Sequence, residues 1–119
     1  MGDAPVSEPL APESVNERLD EIQLIDVRLD EEWEAGHIAG ALHIPLDSLS
    51  ARAAEIDRSE PVVLYCRSGD RSGGAADALA ASGWEVQSIE GGLEAWVEKG
   101  LPLKPDGGDV VAPSGLPPA

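Results

Sequence analysis

Phenylalanine is absent from this 119-residue sequence, and cysteine, methionine and tyrosine occur once each. One cysteine excludes an intramolecular disulfide and a Cys-x-x-Cys redox pair, and without many other ligands it cannot build a structural zinc site. A single thiol suits a reducing compartment. Basic residues are scarce: 8 against 23 acidic ones, a formal charge of −15, with only Lys99 and Lys104 as lysines. Such a chain repels nucleic acid phosphates and anionic headgroups, so neither nucleic acid nor membrane is an expected partner. The acids run from Asp3 to Asp109, as on a heavily solvated surface, which is compatible with a salt-adapted source. No apolar segment approaches membrane-spanning length. The N-terminus lacks a basic region followed by an apolar run, and Val6 stands where a myristoylation signal requires Ser or Thr. These absences lead to the expectation of a cytoplasmic monomer.

What is present fits one domain, because a chain this long can bury roughly two thirds of the surface its unfolded form exposes. Residues 1–11 mix proline, acid and small residues and read as a flexible arm. Ser14 and Glu17 have the spacing of a capping box, and Val15, Leu19 and Ile22 recur at helical intervals, which predicts a short amphipathic helix. Leu24-Ile25-Asp26-Val27-Arg28 has the form of a buried strand that delivers charge to a sheet edge. Asp30 can cap a second helix that Gly36 stops, and Asp47 or Ser48 can start another with Leu49, Ala53 and Ile56 near one face. Val62-Val63-Leu64-Tyr65, introduced by Pro61, is the clearest strand. Helix is expected from Ser72 to about Ser82 with Gly83 as its C-terminal cap. Glu85 to Ile89 reads as a strand, Gly91-Gly92 as a turn, and Leu93 to Lys99 as a last helix. Strands separated by helices indicate an α/β fold, a mainly parallel sheet covered on both faces, with no internal repeat. The domain is expected to span residues 12–103, and the Pro/Gly-rich residues 104–119 read as a disordered tail.

Cys66 stands where the clearest strand ends, before a glycine-containing loop and a helix, and α/β proteins place ligands at that carboxyl edge of the sheet. Backbone N–H groups of so short a loop can point inward as an anion-binding nest backed by the helix N-terminus, and Arg67 and Arg71 add positive charge. Thiols in such surroundings become thiolate nucleophiles. A lone cysteine is most often a small buried hydrophobe. Here, however, flanking arginines, a glycine and a helix start accompany it, and a structural cysteine needs none of them.

Four blocks in order resemble the rhodanese family: Leu24-Ile25-Asp26-Val27-Arg28, Gly36-His37-Ile38-Ala39-Gly40-Ala41-Leu42-His43-Ile44-Pro45, Tyr65-Cys66-Arg67-Ser68-Gly69-Asp70-Arg71-Ser72 and Gly91-Gly92-Leu93-Glu94-Ala95-Trp96. The resemblance implies the rhodanese-like fold, a central mainly parallel sheet flanked by helices on both faces. It also implies sulfur transfer through a persulfide on Cys66. On the family pattern Arg67, Ser68, Gly69, Asp70 and Arg71 form the substrate-binding cradle, with Arg67 facing the substrate and Arg71 closing the loop. Asp26 and Arg28 match a strand end that gives structural support. The implied reaction takes sulfane sulfur from a donor such as thiosulfate or a persulfide, and passes it to a thiol, cyanide or a protein cysteine. It needs no metal or organic cofactor.

Rhodanese-like phosphatases and arsenate reductases are the nearest alternative chemistry. They use five residues between cysteine and arginine, whereas four separate Cys66 from Arg71, a smaller ring better suited to one sulfur than to a tetrahedral phosphate. A non-catalytic docking module is a further alternative, against which the retained Cys66 and both arginines stand. His37 and His43 are expected to be structural. Without phenylalanine the domain needs other large side chains, so Trp33, Trp84 and Trp96 are assigned to the core. The run Asp30-Glu31-Glu32 with Glu34 reads as a capped, solvated helix face, since it lacks the alternating ligand spacing of a calcium loop.

Overall fold

The computed structural model describes residues 8–57, 59–104, 108 and 110. Four strands, β1 (Gln23–Asp26), β2 (Leu42–His43), β3 (Val62–Tyr65) and β4 (Val86–Ser88), form one sheet in the order β2-β1-β3-β4. Every pairing is parallel, and Asp26 lies opposite Tyr65 in the central pair. Parallel neighbours require crossover connections, and these bring helices onto the sheet faces. The helices are α1 (Pro12–Glu17), α2 (Asp30–Ala35), α3 (Asp70–Ala81) and α4 (Gly92–Glu98). The architecture is α/β, as the alternation of patterns predicts.

β3 is buried along its whole length because both faces of the sheet are covered, so its sequence is a continuous apolar run without alternation. Successive side chains still point to opposite faces. Val62, Leu64 and then Cys66 join one core with Ile25, Val27, Ala76 and Val86, while Val63 and Tyr65 join the other with Leu24, Ile89, Leu93 and Trp96. The two-residue period therefore decides that Cys66 faces the α3 side.

Several boundaries differ from the sequence expectation. α1 starts at Pro12 with Ala11 in the capping position, so Ser14 and Glu17 form no capping box. Proline at the first helical position has no N–H to satisfy there, and its fixed φ suits the helix. The helix expected from Asp47 or Ser48 is two separate 3-10 turns, Leu46–Ser48 and Ala53–Glu55. Leu49 and Ile56 are buried from those turns without a full helical stripe. α3 begins at Asp70 rather than Ser72, because Gly69 at φ 100° turns the chain directly into it.

Residues next to the expected 12–103 span make main-chain contacts with it. Leu10, expected in the arm, runs beside β4: its N–H donates to the Ser88 carbonyl at 2.7 Å, and its carbonyl accepts the Glu90 N–H at 2.8 Å. Lys104, expected in the tail, exchanges two main-chain hydrogen bonds with His37 at 2.7 and 2.9 Å. Composition indicates what cannot build a core, but it does not reveal whether a free sheet edge or strand is near enough to capture the chain. Residues 1–7 and most of 105–119 lie outside the described residues.

Candidate active site

β3 delivers Cys66 to the carboxyl edge of the sheet, where the thiol is completely buried. The chain then reverses through Gly69, whose φ of 100° a side chain resists, and enters α3. Three donors surround the sulfur: the Gly69 N–H at 3.1 Å from Sγ, and the Ser72 N–H and hydroxyl, each at 3.4 Å. The loop carbonyls point the other way. That of Cys66 accepts the Leu93 N–H at 2.8 Å, and that of Arg67 accepts the Glu94 N–H at 2.9 Å, both from the first turn of α4.

This division of labour depends on Gly92. A Cβ there would lie 2.6 Å from the carbonyl oxygens of both Cys66 and Arg67, and 2.7 Å from the Gly69 nitrogen. The Gly91-Gly92 turn, with both residues at positive φ, therefore lets α4 touch the loop and hold its carbonyls outward. N–H groups are left facing the sulfur. Donors and dipoles preorganised in this way stabilise negative charge on Sγ, or on an atom bonded to it.

Arg71 pairs with a carboxylate of α2. Its guanidinium makes two hydrogen bonds of 3.1 Å to Glu32, whose side chain is fully buried and also accepts the Leu29 N–H at 3.1 Å. Its pKa is raised above the ordinary arginine value, chiefly by the hydrogen bond to Glu32. Glu32 thus ties α2 to the start of α3. The expectation of a solvated face for residues 30–34 is corrected here for Glu32, since a half-buried cation partner and the Leu29 N–H outweigh its preference for water. Arg67 pairs with Glu94 at 3.4 Å, and both side chains are partly exposed. Asp70 points outward and accepts a long 3.4 Å bond from the Ser68 hydroxyl. A cavity of about 290 Å³ adjoins the loop, lined by Ser68, Gly69, Asp70, Glu90 and Gly91 among others.

Asp26 and Arg28 are bound to each other beside this loop. Both are fully buried, with Nη2 of Arg28 at 2.7 Å from Asp26 and also at 2.7 Å from the Gly36 carbonyl. Burial opposes the charge of Arg28, yet its pKa ends above the ordinary value because of the Asp26 carboxylate. The Arg28 guanidinium also lies 5.6 Å from the centroid of the Tyr65 ring. The tyrosine hydroxyl accepts the Ile38 N–H at 3.0 Å. Burial first, and the Asp26 charge second, push the phenol far above its ordinary pKa.

The aromatic assignments divide. Trp96 is fully buried and donates to the Pro102 carbonyl at 2.9 Å, and Trp84 packs at the margin of the α3-side core. Trp33 belongs to neither core. It stacks on His37 at 3.5 Å and on His43 at 4.8 Å between ring centroids. Each histidine also holds a main-chain carbonyl, His37 that of Trp33 and His43 that of Arg28. No group of metal-ligating side chains occurs among the described residues.

Residues 11–99 match the Rhodanese-like domain family. The chain belongs to that family. It is 37% identical over 107 residues to a sulfurtransferase of Allochromatium vinosum, an alignment covering 87% of this chain and 94% of that one. It is 48% identical over 75 residues to the uncharacterized protein YqhL of Bacillus subtilis, covering 62% of this chain and only 60% of that relative's length. Among solved structures, a rhodanese-related protein of Thermoplasma volcanium superposes with a TM-score of 0.77 at 27% identity, over 81% of this chain and 96% of that one. The rhodanese-like fold expected from the sequence is therefore the observed one.

The structure places Cys66, Arg67, Ser68, Gly69, Asp70 and Arg71 of the candidate site along the loop and the start of α3. Sequence reasoning overlooked Glu32, Ser72, Gly92 and Glu94 as parts of it. Ser72 and Gly92 stand within the quoted blocks, but nothing local indicates that one donates to sulfur or that the other touches the loop. Glu32 and Arg71 are 39 positions apart, and only the fold brings them together.

Proposed function

We propose that this domain is a sulfurtransferase that carries sulfane sulfur on Cys66. The observation that carries the reading is the convergence of the Gly69 N–H, the Ser72 N–H and the Ser72 hydroxyl on one buried sulfur, with the loop carbonyls held away. A ring of donors stabilises both a thiolate and the terminal sulfur of a persulfide. The identity to a sulfurtransferase over nearly the whole of both chains supports the same reading.

In the first step the Cys66 thiolate attacks the outer sulfur of a donor R–S–SH. A bond forms between Sγ and that sulfur, the donor's S–S bond breaks, and its electron pair leaves with R–S⁻. From thiosulfate the leaving group is sulfite. In the second step an acceptor nucleophile takes the terminal sulfur and returns Cys66 as thiolate. The chain has no second cysteine to serve as acceptor, so the acceptor is an external thiol, cyanide in an assay, or a cysteine of another protein. Neither displacement requires a metal or organic cofactor. Phosphoryl transfer is disfavoured, because four residues between Cys66 and Arg71 leave a ring sized for one sulfur.

Intact mass after incubation with thiosulfate or a small persulfide tests the central intermediate. Gain of one sulfur atom that a thiol or cyanide then removes is the expected result. A mass unchanged with both kinds of donor sinks the proposal.

A further inference from the structure

We propose that Glu94 determines donor specificity at the Cys66 site, biasing it toward a persulfide of low charge and against the thiosulfate dianion. This inference rests on the sulfur-transfer reading and names the donor class for it. It starts from the two cations of the loop. Arg71 is committed to buried Glu32, and Arg67 is 3.4 Å from Glu94, so each has its charge matched by a carboxylate.

The Arg67–Glu94 pair is imposed by the backbone. The Glu94 N–H donates to the Arg67 carbonyl at 2.9 Å, which fixes the two residues side by side before their side chains meet. Asp70 and Glu90 then add negative charge in the adjoining cavity, and no lysine or arginine lines that cavity among the described residues. A dianion approaching Cys66 meets these carboxylates with no unmatched cation in compensation. The penalty scales with donor charge, so a persulfide carrying at most one negative charge experiences about half of it.

Glu94 is also an acid in the first turn of α4, where the helix dipole favours it. A purely structural role of that kind would affect all donors equally. The discriminating measurement is the second-order rate of persulfide formation on Cys66, followed by intact mass in quenched time courses. The donors are thiosulfate and N-acetylcysteamine persulfide, the proteins are wild type, Glu94→Gln and Glu94→Asp, and the ionic strength is varied.

Removing the charge in Glu94→Gln should accelerate loading from thiosulfate about fivefold at low ionic strength, and loading from the persulfide only about twofold. Added salt should erase the difference, and Glu94→Asp should keep the wild-type preference. Equal factors for both donors, or a thiosulfate gain that salt leaves untouched, would overturn the role of Glu94 while leaving sulfur transfer intact. Wild-type protein that loads sulfur from neither donor would instead remove the sulfur-transfer reading, and this inference with it.

Discussion

On the sulfur-transfer proposal, Cys66 is unreplaceable for a chemical reason that its packing does not share. A serine hydroxyl fits the same buried position but is neither acidic nor soft enough to hold sulfane sulfur, so Cys66→Ser should keep its circular dichroism spectrum and lose sulfur loading entirely. A folded variant that still transfers sulfur would refute the assignment. Glu32 acts at a distance through Arg71. Glu32→Gln keeps the shape of the side chain but leaves the guanidinium without its anion, and should cost about 2–3 kcal/mol in denaturant titrations. Sulfur loading should slow with it, since Arg71 lies in the first turn of the helix that carries Ser72. Tyr65 contributes a pH-dependent term. Its folded-state pKa is raised, so its stabilisation is complete below the unfolded value of about 10 and declines as pH rises above it. Tyr65→Phe should therefore be clearly less stable than wild type at neutral pH, because the Ile38 N–H loses its acceptor. The gap should close by about 1.4 kcal/mol per unit above about pH 10. A gap constant with pH would show that the phenol ionises as readily in the folded state.

At the scale of elements, the site is the meeting of β3, α3 and α4, with α2 as a brace. The tightest of these contacts runs through Gly92, where a methyl group would collide with backbone atoms that have no flexible end to move. Gly92→Ala should cost about 2–4 kcal/mol, combining overpacking with the strain of positive φ, and should disturb the donors around the sulfur. The expected signature is a lowered Tm together with altered alkylation kinetics at Cys66. Wild-type alkylation in a variant that has lost stability would mean that α4 supports the domain without shaping the loop. Among the elements, β3 was legible because a β-rich run between Pro61 and Cys66 has few alternatives, and its bounds agree with the sequence reading. The segment at 46–56 was misread because Leu49, Ala53 and Ile56 satisfy a helical period, while the competing 3-10 turns bury the same Leu49 and Ile56.

For the molecule as a whole, the main-chain pairing of Lys104 with His37 changes what truncation should do. Removal of everything after Leu103 deletes two hydrogen bonds and the contact of Val110 with the core around Trp96. It should lower Tm by about 10 °C, whereas a truly unattached tail would leave Tm unchanged. Sulfur loading should persist at temperatures where the shortened protein is folded. No helix among the described residues is long and apolar enough to cross a membrane.

Local chemistry was sufficient for the α/β alternation, the position of Cys66 at a strand end and the short ring to Arg71, because each depends on residues adjacent in the chain. The family followed from four such blocks in order. Pairings across the chain were decided only by the tertiary structure: Glu32 with Arg71, Gly92 against the Cys66 carbonyl, Glu94 beside Arg67, and Trp33 between two histidines. A carboxylate in an acidic run and a glycine in a turn look alike in sequence whether they face water or the loop after Cys66. Which of these they face depends on the crossover connections of a parallel sheet, and those bring together residues that no local pattern relates.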